Sequence, residues 1–202
     1  NGVQPQIEFL ENQSLATHKD MSEVMGQENA RKLIEIVAIG GHNILLIGPP
    51  GTGKTMLAER IPTILPPLDS ESALQVSAIH SVAGILHQRG SLSTLPPFIA
   101  PHHTTTSPAM VGGGSQSVRP GAVSLAHEGI LFIDEAPECE SGVLDSLRQP
   151  LESGRVTISR ATGTTTYPAN FLLVLAANPC PCGKFSGRGR GCTCTAIQIR
   201  RY

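Results

Sequence analysis

The chain has 202 residues, of which 40% are hydrophobic and 15% charged, with a formal net charge of −1. This composition is typical of one globular domain and excludes a disordered chain. Aromatic residues make up only 3%, which argues against a surface that grips single-stranded nucleic acid by stacking many rings. No stretch approaches the roughly 18 apolar residues of a membrane helix, and no signal-peptide pattern is present, so we expect a cytoplasmic protein with no membrane partner.

The first quarter of the chain predicts a linker, a helix and a buried strand. Residues 1–20 are polar and lack periodicity, as in a linker before a domain at 21–202. From 23 to 39 apolar residues recur at helical spacing, and two glycines then end the predicted helix. Residues 43–47 are apolar without alternation, which is typical of a strand buried on both faces of a parallel sheet.

Two later apolar runs predict further strands of the same sheet. Residues 129–133 end at Asp134 and Glu135, and residues 171–176 end shortly before Asn178. Because ligands bind at the carboxyl ends of the strands in open α/β sheets, these polar residues mark a candidate site.

The connecting segments carry weaker signals. Residues 74–76 predict a short strand, and the Pro-, Gly-, Thr- and Ser-rich residues 92–121 are interpreted as an insertion. Residues 144–148 predict a helix. Residues 155–159 and 164–167 alternate in character on either side of a glycine, which predicts a β-hairpin.

Residues 48–55 fit the phosphate-loop pattern G-x-x-x-x-G-K-[ST], with an apolar strand before them and a helical pattern at 56–61 after them. In such a loop, backbone N–H groups and the start of a helix surround phosphates. Lys54 is then the candidate for reaching the β and γ oxygens, and Thr55 for ligating Mg²⁺. The candidate nucleotide-binding residues of the loop are Pro50, Gly51, Thr52, Gly53, Lys54, Thr55 and Met56.

The residues that end the later strands are natural partners of a phosphate loop. Asp134 is the candidate for holding the magnesium shell, and Glu135 for polarising the attacking water. Asn178 is placed to hydrogen-bond the γ-phosphate or that water. By residue type alone Asn178 is an ordinary turn residue before a proline, and its position at a strand end favours the functional role.

Four of the five cysteines fall in one segment: Cys180 and Cys182, then nine residues, then Cys192 and Cys194. In a reducing compartment they are candidate Zn²⁺ ligands, although the commoner zinc spacing has two residues between paired cysteines. Free thiols or a redox pair are the alternatives. Cys139 stands apart and is predicted to be structural.

Basic residues also concentrate after Cys180, where no acidic residue occurs. This asymmetry predicts either an anionic partner or a solvated basic loop. The residues concerned are Lys184, Arg188, Arg190, Arg200 and Arg201. The pair His102 and His103 suggests a metal or phosphate ligand, but a hydrogen-bonding role in a loop is the commoner one.

Together these motifs resemble those of AAA+ ATPases. Residues 48–55, residues 130–135 and Asn178 resemble Walker A, Walker B and sensor 1, and the segment holding Met25, Gly26 and Gln27 resembles the one beside the adenine. Five further segments resemble the magnesium-chelatase-related subfamily, and within it the ComM-type (YifB) group of competence proteins rather than the chelatase subunit. They are residues 41–43, 100–104, 111–114, 147–152 and 178–183.

This resemblance covers residues 20–202 and implies a three-layer αβα P-loop core with a parallel AAA+ sheet. It also implies an insert in helix 2 at 92–121, a hairpin before sensor 1 at 155–168 and a cysteine-rich loop at 180–194. The arginine finger, the lid and sensor 2 would follow Tyr202, and a Lon-like domain would precede Asn1, so residues 1–202 alone should hydrolyse ATP weakly. Residues 95–100 lack the arginines of the family pattern, which counts against an anion contact by the insert.

The sequence therefore predicts an ATP-binding, Mg²⁺-dependent ATPase core. The resemblance implies assembly into a homo-hexameric ring that moves DNA, as in branch migration during natural transformation. A second hypothesis is a remodelling ATPase that acts on a protein partner, as magnesium chelatase does. A nucleotide switch without hydrolysis is a third, which the presence of Glu135 disfavours.

Overall fold

The structure is a computed structural model that describes residues 19–85, 94–113, 118–160, 163–185 and 191–202. Its α-helices are α1 (Glu28–Gly40), α2 (Lys54–Ala58), α3 (Ser70–Ala83), α4 (Ser107–Val111), α5 (Ala122–Leu125), α6 (Ser141–Asp145), α7 (Arg148–Ser153) and α8 (Ala196–Arg201). Its strands are β1 (Ile44–Ile47), β2 (Phe98–Ile99), β3 (Gly112–Gly113), β4 (Arg119–Pro120), β5 (Gly129–Ile133), β6 (Arg155–Arg160), β7 (Gly163–Pro168) and β8 (Phe171–Ala177). Short 3₁₀ helices lie at Met21–Glu23, Ile61–Ile64 and Ala136–Glu138.

A parallel four-stranded sheet forms the centre of the molecule, in the order β1-β8-β5-β2. β8 lies between β1 and β5, so that Ile47 is opposite Ala177 and Ile133 is opposite Leu175. The carboxyl ends of β1, β5 and β8 therefore meet at one edge of the sheet, which is where the predicted site residues begin.

Helices cover both faces of this sheet. Along β5, Ile130 and Phe132 pack into a core with α1 and α2, while Leu131 and Ile133 pack into a second core with α4, α5 and α6. Alternate residues of one strand thus enter two separate cores, as the pleat of a strand requires. The result is the predicted α/β architecture of three layers.

Burial differs between the central and the edge strand. All five residues of β5 are buried, as an apolar run without alternation predicts. In β1, however, Leu45 is 51% and Ile47 is 63% exposed, so the prediction of a strand buried on both faces is wrong there. β1 lies at the edge of the described sheet, and α1 covers only one of its faces.

Helix boundaries follow backbone conformation more closely than apolar spacing. The helix predicted over 23–39 begins at Glu28, because Gly26 and Gln27 have φ angles of 71° and 51° in the left-handed region. The strand predicted at 74–76 is wrong, since these residues lie inside α3. There Asp69 caps the helix by accepting from the Ser72 amide at 2.8 Å, a side-chain cap that favours helix.

The segment 92–121 is not wholly an insertion. Its residues Phe98 and Ile99 form β2, which pairs in parallel with Ile130 and Leu131 of β5 and extends the central sheet. Residues 92, 93 and 114–117 lie outside the described part of the chain. The helix predicted at 144–148 is instead divided between α6 and α7, and α2 occupies only part of the predicted helical pattern.

β6 and β7 form the antiparallel ladder that the alternation at 155–168 predicted, with Thr157 opposite Thr166. Its inward residues Val156 and Ile158 are buried against the second core. Among the described residues, no helix is both long and apolar enough to span a bilayer.

His127 is a buried imidazole held in its neutral form. Its Nδ1 accepts from the Asn170 amide at 3.1 Å, so Nε2 carries the proton and donates to Gln75 Oε1 at 3.0 Å. Burial lowers the pKa of His127 below its ordinary value of 6.5, and nearby Glu128 opposes this only in part. The folded chain therefore disfavours protonation of this ring.

We expect the free energy of unfolding to fall as the pH is lowered through about 6.5, because His127 takes up a proton in the unfolded chain more readily than in the folded one. The stabilisation by neutral His127 is fully present above that pH. The free energy of unfolding changes by at most about 1.4 kcal/mol per pH unit through this group. Urea denaturation of His127→Gln should show a shallower pH dependence than the parent. His42→Gln, at an exposed histidine, should keep the parental slope, and equal slopes for all three proteins would contradict the assignment.

Candidate functional site

The phosphate-loop residues form a turn between β1 and α2 at the carboxyl edge of the sheet. Gly51 and Gly53 have φ angles of 77° and 81°, which a residue with a Cβ adopts only with strain. The Thr52 hydroxyl donates to Pro49 O at 2.8 Å and closes the turn. Left-handed glycines in such a loop turn successive backbone N–H groups toward a common point, so the loop fits an anion.

Lys54 lies at the centre of this loop. Its Nζ donates to Gly48 O at 2.7 Å, to Pro49 O at 3.2 Å and to Asn178 Oδ1 at 3.1 Å. The structure thus brings together the loop lysine and the asparagine that follows β8. These are two of the residues that the sequence singled out, and they are 124 positions apart.

Thr55 and Asp134 are also in contact, since the Thr55 hydroxyl donates to Asp134 Oδ2 at 2.6 Å. The other oxygen, Asp134 Oδ1, accepts from the Glu135 amide at 2.9 Å. Hydroxyl and carboxylate oxygens are the hard ligands that Mg²⁺ prefers, and neighbouring ligands of an octahedral Mg²⁺ lie about 3 Å apart. The pair therefore fits one Mg²⁺ ion with only a small outward shift.

Glu135 has an exposed carboxylate and a strained backbone. Its φ of 51° lies in the left-handed region, which is uncommon for a residue with a side chain and often marks a functional site. Glu135 Oε2 lies 3.1 Å from His103 Nδ1, and the ring of His102 lies against that of His103, tilted by 35° with centroids 4.1 Å apart. The sequence favoured an ordinary hydrogen-bonding role for this histidine pair and did not predict its contact with Glu135.

The predicted adenine-side segment adjoins the loop. Gln27 Nε2 donates to Thr52 O at 2.9 Å, and a Cβ built on Gly53 would lie 3.0 Å from Gln27 Nε2 and 3.1 Å from Met56. Met25 is 89% exposed, so its side chain is free to lie against a planar base. The left-handed Gly26 and Gln27 set the direction of this segment.

Tyr202 is a neighbour of the site that the sequence did not single out. Its phenol oxygen lies beside the backbone and side-chain amides of Asn178, which favour negative charge on it. Burial raises the pKa of Tyr202, and the charges of Glu138 and Glu135 raise it further. The phenol therefore stays protonated at neutral pH and contacts the candidate sensor residue. No motif or spacing indicates this contact.

The four clustered cysteines lie beside the same edge. The Sγ atoms of Cys180, Cys182, Cys192 and Cys194 all lie within 4.8 Å of one another. Backbone N–H groups of Lys184 and Thr193 donate to Cys182 and lower the pKa of its thiol to about 5.

The fifth cysteine and the basic residues lie outside this group. Cys139 is half-buried elsewhere, and burial raises the pKa of its thiol. Lys184, Arg200 and Arg201 are exposed, whereas Arg188 and Arg190 lie outside the described residues.

A parallel sheet with a phosphate loop after β1 and acidic residues after β5 defines a P-loop α/β protein. The chain matches the family model described as magnesium chelatase, subunit ChlI, over residues 20–202. It belongs to that family, which confirms the resemblance found in the sequence.

Among characterised and uncharacterised relatives, the chain is 50% identical to the uncharacterised protein YifB of Escherichia coli over 189 residues, which cover 94% of this chain and 37% of YifB. It is 47% identical to competence protein ComM of Haemophilus influenzae over 184 residues, covering 91% of this chain and 35% of ComM. Identity to the magnesium-chelatase 38 kDa subunit of Rhodobacter capsulatus is 25% over 173 residues, covering 78% of this chain and 49% of the subunit. The chain thus spans about a third of the ComM and YifB proteins.

Proposed function

We propose that this chain binds ATP with Mg²⁺ and hydrolyses it, as the ATPase core of a larger cytoplasmic protein. The observation that carries the proposal is the convergence of the phosphate loop, the Thr55 and Asp134 pair, Glu135 and Asn178 at one sheet edge. These side chains come from three separate strand ends. A chance motif match would not bring them into contact.

Bound ATP supplies the phosphoanhydride bond, and Mg²⁺ supplies positive charge to its β and γ oxygens. The loop amides and the Lys54 ammonium hold the phosphates. Thr55 and Asp134 hold the metal, and Glu135 accepts a proton from the attacking water or orients it. Asn178, 3.1 Å from Lys54, contacts the γ-phosphate or that water.

In the full-length protein, we propose that hydrolysis drives a homo-hexameric ring that moves DNA. Support comes from the relative named competence protein, which is 47% identical, and from the exposed basic residues Lys184, Arg200 and Arg201. A remodelling ATPase acting on a protein partner is the alternative, supported by the more distant magnesium-chelatase subunit at 25% identity. For either function, an arginine finger in the remainder of the protein would leave residues 1–202 alone with slow ATP hydrolysis. Such a residue raises the hydrolysis rate by a factor on the order of 10³.

The test is the ATPase rate of the full-length protein with branched DNA, with linear duplex of the same composition, and without DNA. We expect hydrolysis in all three, with several-fold stimulation by the branched DNA. Hydrolysis without any response to DNA would favour the protein-remodelling alternative. Tight ATP binding with no turnover under any condition would contradict the proposed ATPase and favour a nucleotide switch.

His103 provides a further prediction at this site. We expect His103→Ala to lower turnover by about tenfold while ATP affinity is unchanged, because the imidazole holds the Glu135 carboxylate at 3.1 Å and both groups are partly exposed. His103→Gln, which keeps a donor, should recover part of the rate. Measurement of kcat and of the ATP dissociation constant separates this effect from a general loss of structure, which would weaken both.

A further inference from the structure

The four-cysteine group has the dimensions of a site for one metal ion. Cys180 Sγ lies 3.4 Å from Cys182 Sγ and 3.7 Å from Cys192 Sγ, and Cys182 Sγ lies 3.6 Å from Cys192 Sγ. Cys194 completes the group within 4.8 Å. Four thiolates about 2.3 Å from a tetrahedral Zn²⁺ would lie about 3.8 Å from one another. The separations among Cys180, Cys182 and Cys192 differ from this by a few tenths of an ångström, and Cys194 would move by at most about 1 Å.

Other uses of four cysteines fit these separations less well. A disulfide holds its sulfurs about 2.05 Å apart, and all of these cysteines are free. An iron–sulfur cluster places several atoms between its four ligands and would spread them farther apart. A single soft ion with tetrahedral preference is the occupant that matches the geometry.

Backbone amides around the group are oriented toward sulfur. The N–H groups of Lys184 and Thr193 donate to Cys182 Sγ, the N–H of Cys194 donates to Cys192, and the N–H of Cys182 donates to Cys194. Such donors stabilise negative charge on thiolate ligands and fix their direction. An amide N–H thus lies beside three of the four sulfurs.

The group is joined on both sides to the candidate nucleotide site. Two residues before Cys180, Asn178 accepts from Lys54 at 3.1 Å. Immediately after Cys182, Gly183 packs on the phosphate loop so closely that a Cβ would lie 2.6 Å from Pro50 Cδ. After Cys194 the chain enters α8 and returns to Asn178 through Tyr202. An ion that fixes the four sulfurs would fix all three of these contacts.

We propose that Cys180, Cys182, Cys192 and Cys194 bind one Zn²⁺ ion, and that this ion holds the chain after β8 against the phosphate loop. Binding displaces the thiol protons, as metal binding to cysteine does. The effect on the phosphate loop rests on the proposed ATP function, whereas the metal site itself does not.

Metal content of the full-length protein, purified with reductant and without chelator, tests the site. We expect about one zinc per chain in the parent and in Cys139→Ser, which alters the cysteine outside the group. The double variant Cys182→Ser, Cys194→Ser should contain almost no zinc.

Because that variant is at risk of misfolding, the parent stripped of metal should also be titrated with Co²⁺. The intense visible bands of tetrahedral cobalt thiolate, saturating at one equivalent, are expected. The absence of zinc from the purified parent, together with the absence of these bands on titration, would overturn the site.

The nucleotide dissociation constant of zinc-loaded and metal-stripped parent protein tests the second half of the proposal. We expect affinity to fall by roughly tenfold on removal of the metal, the loss of about one charge-assisted contact at the phosphates, and to recover on addition of Zn²⁺. If the zinc-loaded parent contains one zinc per chain but binds nucleotide with the same affinity as the metal-stripped parent, the link to the phosphate loop is overturned. The metal site itself is then unaffected. Absence of nucleotide binding in both forms would count against the ATP function alone, because the zinc content is measured separately.

Discussion

Replacing Lys54 by alanine is expected to abolish measurable ATP binding. At the phosphate loop, the Lys54 ammonium lies between two loop carbonyls and Asn178. Loss of a charge-assisted hydrogen bond costs about 1.5 to 3 kcal/mol, and this ammonium would make more than one to the β and γ oxygens. The dissociation constant should therefore rise more than about a hundredfold, as measured with a fluorescent ATP analogue or by calorimetry.

A control variant tests whether the effect comes from the place of Lys54 at the loop rather than from the loss of any lysine charge. Lys32→Ala removes an exposed lysine of α1 and should leave both affinity and thermal stability unchanged. The melting temperature of Lys54→Ala should be close to that of the parent, since the partners of Lys54 are loop carbonyls and one half-buried asparagine rather than the apolar cores. Retention of parental ATP affinity in Lys54→Ala would reject the phosphate-loop assignment.

The parts of the fold that the sequence predicted well are those with contiguous signals. The phosphate-loop pattern occupies eight adjacent positions, and the apolar runs before Asp134 and Asn178 are unbroken, so strand ends and site residues could be placed together. Local patterns of this kind are sufficient to predict the fold class. They also place the candidate catalytic residues at a common edge.

Residues whose environment depends on distant partners were not predictable in the same way. The 74–76 triplet resembles a strand, but the Asp69 cap and the buried positions Ala73, Val76 and Ile79 place it in a helix. β2 has only two residues and belongs to the sheet solely through its pairing with β5. The exposure of Leu45 reflects what lies beside β1, which its own residues do not encode.

In the candidate site too, some residues are found by local motifs, whereas others are found only through contacts between distant parts of the chain. Lys54, Thr55, Asp134, Glu135 and Asn178 were found by motif. The contacts of His103 with Glu135 and of Tyr202 with Asn178 join residues far apart in the chain. No spacing rule links such pairs, and their detection requires the folded arrangement.

Replacing Glu135 by glutamine is expected to stop turnover while ATP still binds. The amide keeps the shape of the carboxylate but cannot accept a proton from water, and general-base contributions are typically on the order of 10² to 10⁴ in rate. Glu135 is exposed and makes no described contact with Lys54 or Thr55, so the phosphate-binding contacts should survive. Full-length Glu135→Gln should therefore retain ATP through gel filtration, whereas the parent should elute with ADP.

Two comparisons make this expectation specific to the carboxylate. Glu140→Gln changes an exposed glutamate at the start of α6 and should hydrolyse ATP at the parental rate. If His103 acts by holding Glu135, the double variant His103→Ala, Glu135→Gln should be no slower than Glu135→Gln alone, because the imidazole then has no carboxylate to position. Additive losses would assign His103 an independent role, and a parental rate in Glu135→Gln would remove Glu135 from the mechanism.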